Sequence, residues 1–378
     1  MLRRGLIHNY FLPVLRNFDV YWFSCYEVEV LIQKIYGIKG EDRSVQEYLK
    51  KLVEGPFQKG EKSDLPNGVA EYSIDRGIFE FSPTHINKDN TAYIYSCGIH
   101  GNETAPIEII SDLVEKIRNG EIKLAHPLLV IFGNIEAMII GKRFIKDNMN
   151  RMFSGTHSKF EQNNYEPKRA KVIEYAISKF FMKFEDNPKV HYDLHTAIRP
   201  SRYRRFAVHP FLENNREYSL RQLRIMRAMG IEAVILMHKE SSTLSYFSSN
   251  HFNAEAFTLE LGKVEKFGEN NRLDFKAAED VLINLICDKE LYLPEDLPKL
   301  CKVKKELIRN EENYEFYISD ETANFTEFNK GTILASDSFE SYKVGEDGEM
   351  IAFPNGEVKV GQRSGLVMVE VKSSLKKY

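Results

Sequence analysis

A histidine and a glutamate stand three residues apart at His100 and Glu103, inside Gly98-Ile99-His100-Gly101-Asn102-Glu103-Thr104-Ala105-Pro106. Imidazole nitrogens and carboxylates both ligate zinc, and a catalytic zinc takes three protein ligands and keeps a fourth position open for water. The spacing alone is a weak signal. With ten histidines in the chain and acids at roughly 15% of positions, about 1.5 H-x-x-[DE] matches arise by chance. Its setting says more: the pair lies beside two glycines, between an apolar run and a helix start at Pro106, where open α/β sheets bind ligands. A third ligand is offered by His195, which ends the apolar run before it in Asp193-Leu194-His195-Thr196; a lone histidine is otherwise commonly one satisfied in a core.

Three further groups are candidates for work around such a centre. Asp193 lies two positions before His195, so on a strand both share a face. It either orients that imidazole from behind or caps a neighbouring turn. Glu260, inside Phe257-Thr258-Leu259-Glu260-Leu261-Gly262, is an acid in an apolar strand. Burying a carboxylate is costly unless it is paired, liganded or catalytic, so a buried ion pair is the alternative. Arg143, Asn150 and Arg151 follow one strand, and Arg199, Arg202, Arg204 and Arg205 follow His195. A guanidinium matches a carboxylate with two hydrogen bonds, although many arginines simply sit at a surface.

Positioning these groups requires a particular scaffold. Between Tyr93 and about Leu291, short apolar runs (Tyr93 to Cys97, Leu128 to Phe132, Val190 to Leu194, Phe206 to Val208, Ala233 to Leu236, Phe257 to Leu261) alternate with helical patterns. The helices are expected from Pro106, over Lys168 to Phe184, Glu217 to Met229 and Phe275 to Leu291. That alternation predicts an α/β fold with a mixed, mostly parallel sheet flanked by helices. A hairpin is expected over Gly68 to Phe81 and a helix over Ser44 to Val53. After Pro294 and Pro298 the pattern changes to short strands with turn signals. The expected domains are therefore an N-terminal extension of unassigned role at 1–40, a catalytic domain at 41–298 and a small β domain at 299–378.

Composition removes several function classes. Fifty-two basic against 55 acidic residues give a net charge of -3 and no basic field for nucleic acid. No stretch approaches the roughly 20 apolar residues that span a bilayer, and the apolar run after Arg3 and Arg4 is interrupted by Arg16 and Asp19 with no small-residue cleavage site behind it, so a signal peptide is not expected. Cys25, Cys97, Cys287 and Cys301 are scattered, with no C-x-x-C pair, and are read as reduced thiols of a cytoplasmic protein. The oligomeric state is left open.

Taken together, Gly98 to Glu108, Asn150-Arg151-Met152-Phe153-Ser154-Gly155, Asp193 to Arg199, Thr258 to Lys263 and Phe267-Gly268-Glu269-Asn270 resemble the succinylglutamate desuccinylase family. So do Phe353-Pro354-Asn355 and Gly361-Gln362-Arg363-Ser364-Gly365-Leu366. The matches run in order over roughly residues 65 to 370, and the first 35 or so residues have no counterpart. The resemblance implies a zinc-carboxypeptidase-like fold and one zinc per chain on His100, Glu103 and His195, with Glu260 as catalytic base and acid. It also implies that Arg143, Asn150 and Arg151 bind substrate carboxylate and carbonyl oxygens, Arg143 then facing the oxyanion; counting the substrate's carboxylates leaves Arg199 or Arg202 as the candidate for a distal one. The implied activity is hydrolysis of N-succinylglutamate to succinate and glutamate in arginine degradation, with an aspartoacylase-like deacylation as the alternative.

Overall fold

Alternation along three strands organises the molecule. In the computed structural model the described residues are 57–213, 216–338 and 340–371; the helix expected at Ser44 to Val53 and the N-terminal extension lie outside them. β1 (Lys62–Leu65), β2 (Val69–Asp75) and β3 (Ile78–Pro83) are successive antiparallel strands, and β2 and β3 form the expected hairpin. β4 (Ala92–Cys97), α1 (Thr104–Arg118), β5 (Leu128–Phe132), α2 (Ile135–Ile139), α3 (Tyr165–Lys183) and β6 (Lys189–Ala197) follow. Next come β7 (Phe206–His209), α4 (Leu220–Ala228), β8 (Ala233–Leu236), α5 (Leu244–Phe252), β9 (Glu255–Lys263) and α6 (Lys276–Ile286). The remainder is β: β10 (Lys299–Ile308), β11 (Glu315–Phe316), β12 (Thr326–Phe328), β13 (Ile333–Ser336), β14 (Ser341–Lys343), β15 (Glu349–Ala352) and β16 (Arg363–Glu370).

Among the described residues the large sheet has the order β1-β2-β3-β5-β4-β6-β9-β7-β8-β10-β16-β15-β12. β5, β4, β6 and β9 run parallel, as do β7, β8 and β10, while β7 meets β9 antiparallel. The sheet is thus mixed, with a parallel centre. β10 pairs on one side with β8 and on the other, antiparallel, with β16, so the sheet runs on from the alternating part into the C-terminal strands without a break. β11, β13 and β14 make a separate small sheet.

Helices cover both faces for reasons visible in their sequences. Ile107, Ile110, Leu113, Val114 and Ile117 recur on one side of α1 and are buried with residues of α4 and α6 against Tyr95, Cys97, Tyr192, Leu194, Phe257 and Leu259. On the other face, Ile173, Ile177, Phe180 and Phe181 of α3 pack with Leu244 and Phe247 of α5 against Ile94, Leu129 and Ile131. Each fully buried Leu, Ile or Phe contributes about 1.5–3 kcal/mol, so these two layers hold the strand ends in place. Cys97, Cys287 and Cys301 are free thiols. No described helix is long and apolar enough to cross a membrane.

Candidate active site

The parallel register sets the chemistry side by side. Ser96 of β4 is opposite Asp193 of β6, and His195 of β6 is opposite Glu260 of β9. Since side chains alternate between faces, Ser96, His191, Asp193, His195, Thr258 and Glu260 share the face that Tyr95, Tyr192 and Phe257 do not. All six are buried.

The loop after β4 brings His100 and Glu103 to the same edge. Gly98 has φ +62°, which favours glycine, and a Cβ there would lie 1.9 Å from the Met138 side chain. At Gly101 a Cβ would meet the backbone of α2 at 2.3 Å. The loop therefore lies directly on α2 only because both positions lack side chains. Its far side is braced by the Phe267-Gly268-Glu269-Asn270 segment. The Asn270 amide donates to Thr104 Oγ1 at 2.8 Å and to Glu108 Oε1 at 2.9 Å, and Gly268 N donates to Glu108 Oε1 at 2.9 Å.

His100, Glu103 and His195 form a buried group whose possible ligand atoms all lie within 4.8 Å of one another. Its hydrogen bonds fix the tautomers. Asn148 Oδ1 accepts from Asn150 N at 3.0 Å, so it is an oxygen, and His100 Nε2–H donates to it at 3.0 Å. His195 Nε2–H donates to Asp193 Oδ2 at 2.9 Å. Both histidines turn their Nδ1 atoms inward, each 2.8 Å from one oxygen of the Glu103 carboxylate. Each of these contacts is closed either by a proton on Nδ1 or by a metal ion that takes its place, and a ligand imidazole whose outer nitrogen donates to a carboxylate or carbonyl is the usual arrangement at metal sites. The donor set fits a metal ion.

Behind His195 the polar chain continues. Asp193 Oδ1 accepts from Ser96 Oγ at 2.6 Å; Ser96 Oγ accepts from His191 Nε2–H at 2.8 Å; His191 Nδ1 accepts from Ser248 Oγ of α5 at 2.7 Å. Burial pushes the His191 imidazole down to about 4, which keeps it neutral in this chain. Asp193 thus lies behind the imidazole and caps no turn.

Glu260 is 8% exposed, and its Oε2 has no partner among the described residues. Burial, then the neighbouring Glu103 carboxylate, push its carboxyl up to about 7. Arg143 donates to Glu103 Oε1 at 2.7 Å and remains a third exposed. Asn150 is buried, its Oδ1 accepting from Leu244 N at the start of α5 at 3.0 Å. Arg151 donates to the Asn150 carbonyl at 2.6 Å. Its side chain reaches water yet is closely surrounded by protein. Burial and then Arg363 and Arg143 lower its pKa.

The other candidate arginines are elsewhere engaged or exposed. Arg199 binds Asp320, with Nη2 at 2.7 Å from Oδ1. Arg202 is exposed, Arg204 pairs with Asp274, and Arg205 donates to Gly230 O at 3.0 Å and Asp274 O at 3.1 Å. Sequence reasoning missed Asn148, Ser96, His191, Ser248 and Arg363. For most of these no local signal exists, since their partners are 48 to 95 residues away in the chain. The loop bearing Arg143 is held from α3: Glu166 Oε1 accepts from Ile145 N at 2.7 Å and Lys146 N at 3.1 Å.

Comparison with known proteins agrees with this geometry. Residues 89–286 match the model of the succinylglutamate desuccinylase/aspartoacylase catalytic domain, and residues 298–371 match that of the AstE/AspA barrel-sandwich hybrid domain. A succinylglutamate desuccinylase of Idiomarina loihiensis is 41% identical over 312 residues, covering 81% of this chain and 90% of the relative. One from Pseudoalteromonas atlantica is 41% identical over 302 residues, or 78% and 85%. Among solved structures, the succinylglutamate desuccinylase of Vibrio parahaemolyticus superposes with a TM-score of 0.79 at 30% identity, covering 86% of this chain and 95% of that one. That of Chromobacterium violaceum gives 0.76 at 33%, covering 86% and 98%. A mixed α/β hydrolase with a buried His/Glu/His group is thus the class that fold and site define. The chain belongs to the succinylglutamate desuccinylase/aspartoacylase family.

Proposed function

We propose that the chain hydrolyses N-succinyl-L-glutamate to succinate and L-glutamate, the last step of the arginine succinyltransferase route of arginine degradation, using zinc held by His100, Glu103 and His195. One observation carries the reading: two inward Nδ1 atoms converge on the Glu103 carboxylate, with the unpartnered Glu260 oxygen in the next strand and Arg143 alongside. The 41% identity to relatives of that name supports the choice of substrate.

Bound zinc supplies a Lewis acid for water and for the acyl carbonyl. Glu260 takes a proton from the attacking water and delivers it to the amide nitrogen as the C–N bond breaks. Burial raises its carboxyl in the metal-free protein and the charge of a bound zinc draws it back down, so it would meet the water as a carboxylate base. Arg143 directs positive charge at the oxygen on which negative charge develops. Asn150 and Arg151 hold the α-carboxylate, and Asp193 keeps the His195 ring in its tautomer. In this reading residues 41–298 carry the chemistry, residues 299–378 form the β domain, and residues 1–40 have no assigned part.

The test is a substrate panel with purified, zinc-replete protein. Succinate release from N-succinylglutamate should exceed turnover of N-acetylaspartate and N-acetylglutamate in kcat/KM by at least about tenfold, because an acetyl group lacks one charge-assisted contact. Preference for acetylaspartate would instead make the chain an aspartoacylase-like deacylase, and release of C-terminal residues from peptides would make it a carboxypeptidase.

A further inference from the structure

The substrate proposed above carries three carboxylates, and the sequence offers Arg199 or Arg202 for a distal one. Arg199 is already committed to Asp320. A different arginine, on the C-terminal strands, is linked through Glu306 and Lys239 to the segment that lies against the substrate-binding turn.

The segment 237–243 leaves the end of β8 and lies against the substrate-binding turn: Phe153 N donates to Ser242 O at 3.1 Å, and Leu244 N donates to Asn150 Oδ1 at 3.0 Å. From the same segment, Lys239 Nζ pairs with Glu306 Oε2 at 2.9 Å. The other oxygen of Glu306 faces Arg363 Nη1 at 3.7 Å. Register explains how Arg363 comes to be there. Lys302 of β10 is opposite Leu236, the last residue of β8, so β10 continues through 303–308 beyond the carboxyl end of β8. Six residues at about 3.3 Å each carry it roughly 20 Å further. Ile308 is opposite Arg363, the first residue of β16. The C-terminal strands therefore carry Arg363 alongside the segment 237–243, which itself lies against the turn that bears Asn150 and Arg151.

Charge does not balance at this place. Glu306 is shared between Lys239 and Arg363, and 3.7 Å is too long for a hydrogen bond to Arg363. Arg151 donates to a neutral carbonyl. The cationic neighbours Arg363 and Arg143 weigh, after burial, on the Arg151 guanidinium. Cations gathered with too few acids repel one another, and an anionic ligand relieves that repulsion. Arg363 neighbours Arg151, so the carboxylate it receives belongs on the same side of the scissile amide as the α-carboxylate.

We infer that Arg363, suspended from the β domain beside Arg151 and loosely held by Glu306, is the specificity-determining residue that receives the side-chain carboxylate of the glutamate moiety. The inference rests on the activity proposed above. It assigns the C-terminal strands a part in substrate choice, and it makes the two carboxylates of one amino acid bridge two arginines that otherwise repel.

The experiment compares wild type, Arg363→Ala and Arg363→Lys on N-succinylglutamate and N-succinylglutamine, with product inhibition by glutamate and by succinate. Loss of a charge-assisted pair lowers kcat/KM for N-succinylglutamate by about 10- to 150-fold in Arg363→Ala, with N-succinylglutamine changed by less than about threefold. Arg363→Lys falls between, since it keeps the charge and loses the fork. Inhibition by glutamate should weaken in parallel while inhibition by succinate stays as in wild type. Equal loss on both substrates would mean a structural role and overturn the assignment, as would weakened succinate inhibition, which would place Arg363 on the acyl side. A wild-type protein inert towards N-succinylglutamate defeats the functional reading itself, and the inference with it. An active wild type matched by Arg363→Ala defeats the inference alone.

Discussion

The two faces of β4, β6 and β9 are built from the same strands and are equally dry, yet they differ in what they do. Tyr95, Cys97, Tyr192, Leu194, Phe257 and Leu259 on one face are all fully buried among α1, α4 and α6. Ser96, His191, Asp193, His195 and Glu260 on the other face are buried too, but under α3 and α5, and the first four are joined by hydrogen bonds in series. Burial alone does not separate scaffold from chemistry here. What separates them is whether each buried atom finds its partner in the fold. The polar face is satisfied back to Ser248 and unsatisfied at its tip, at Glu260 Oε2, beside the two Nδ1 atoms that converge on Glu103. An unmet demand in a buried place is where a ligand is required.

Substitutions should split along that line, and the largest effect is expected at the tip. His100→Ala or His195→Ala removes one of three protein ligands and should lower zinc per chain from one to near zero, read by metal analysis on protein whose circular dichroism is unchanged. Retained stoichiometric zinc in both would break the comparison. Glu260→Gln should keep zinc and fold but lose about 10²- to 10⁴-fold in kcat; near-normal turnover would remove Glu260 from the chemistry.

On the apolar face the expected cost is in stability. Phe257→Ala should destabilise by about 3–5 kcal/mol, measured by urea unfolding, while kcat of the folded fraction stays within a few-fold of wild type. A variant that unfolds normally but loses zinc would show that the faces are not separable. The smallest effect expected is a pH dependence at His209, whose ring packs edge-on against Phe257 and Tyr218. Burial pushes it down to about 4 from 6.5. The unfolded chain therefore takes up a proton that the folded chain refuses. Stability is complete above about pH 6.5 and falls as pH drops towards 4, by up to about 3 kcal/mol for this group. His209→Leu should flatten part of that slope in unfolding curves between pH 7 and 4. An unchanged slope would mean that His209 is protonated without cost.

Legibility in the sequence followed the same division. Strands such as Leu128–Phe132 and Ala233–Leu236 end where their apolar runs end, because hydrophobic patterning is local. His195 stood out as a polar residue closing an apolar run, Glu260 as an acid inside one, and His100 with Glu103 through their spacing in a glycine-rich loop. α5 was not legible. It turns Ser245, Ser248 and Ser249 inward to meet Thr258 and His191, so its buried face carries no apolar period. Nor was the partner of any arginine, since side chains after a strand reach as readily outward, as Arg199 does to Asp320, as inward. Arg363 lay inside a quoted motif, but its relation to the site comes from the register of β10 on β8 and β16, which no local pattern encodes. The antiparallel insertion of β7 beside β9 was hidden for the same reason.

The account stands or falls on the metal at the unsatisfied tip. The most direct measurement is a zinc titration of chelator-stripped wild-type protein, followed at once by isothermal calorimetry and by succinate release from N-succinylglutamate. The expected result is one tight site per chain, with no turnover before zinc is added and full turnover at one equivalent. Full activity in the stripped protein, or saturation of a site that His100→Ala and His195→Ala leave intact, would contradict it.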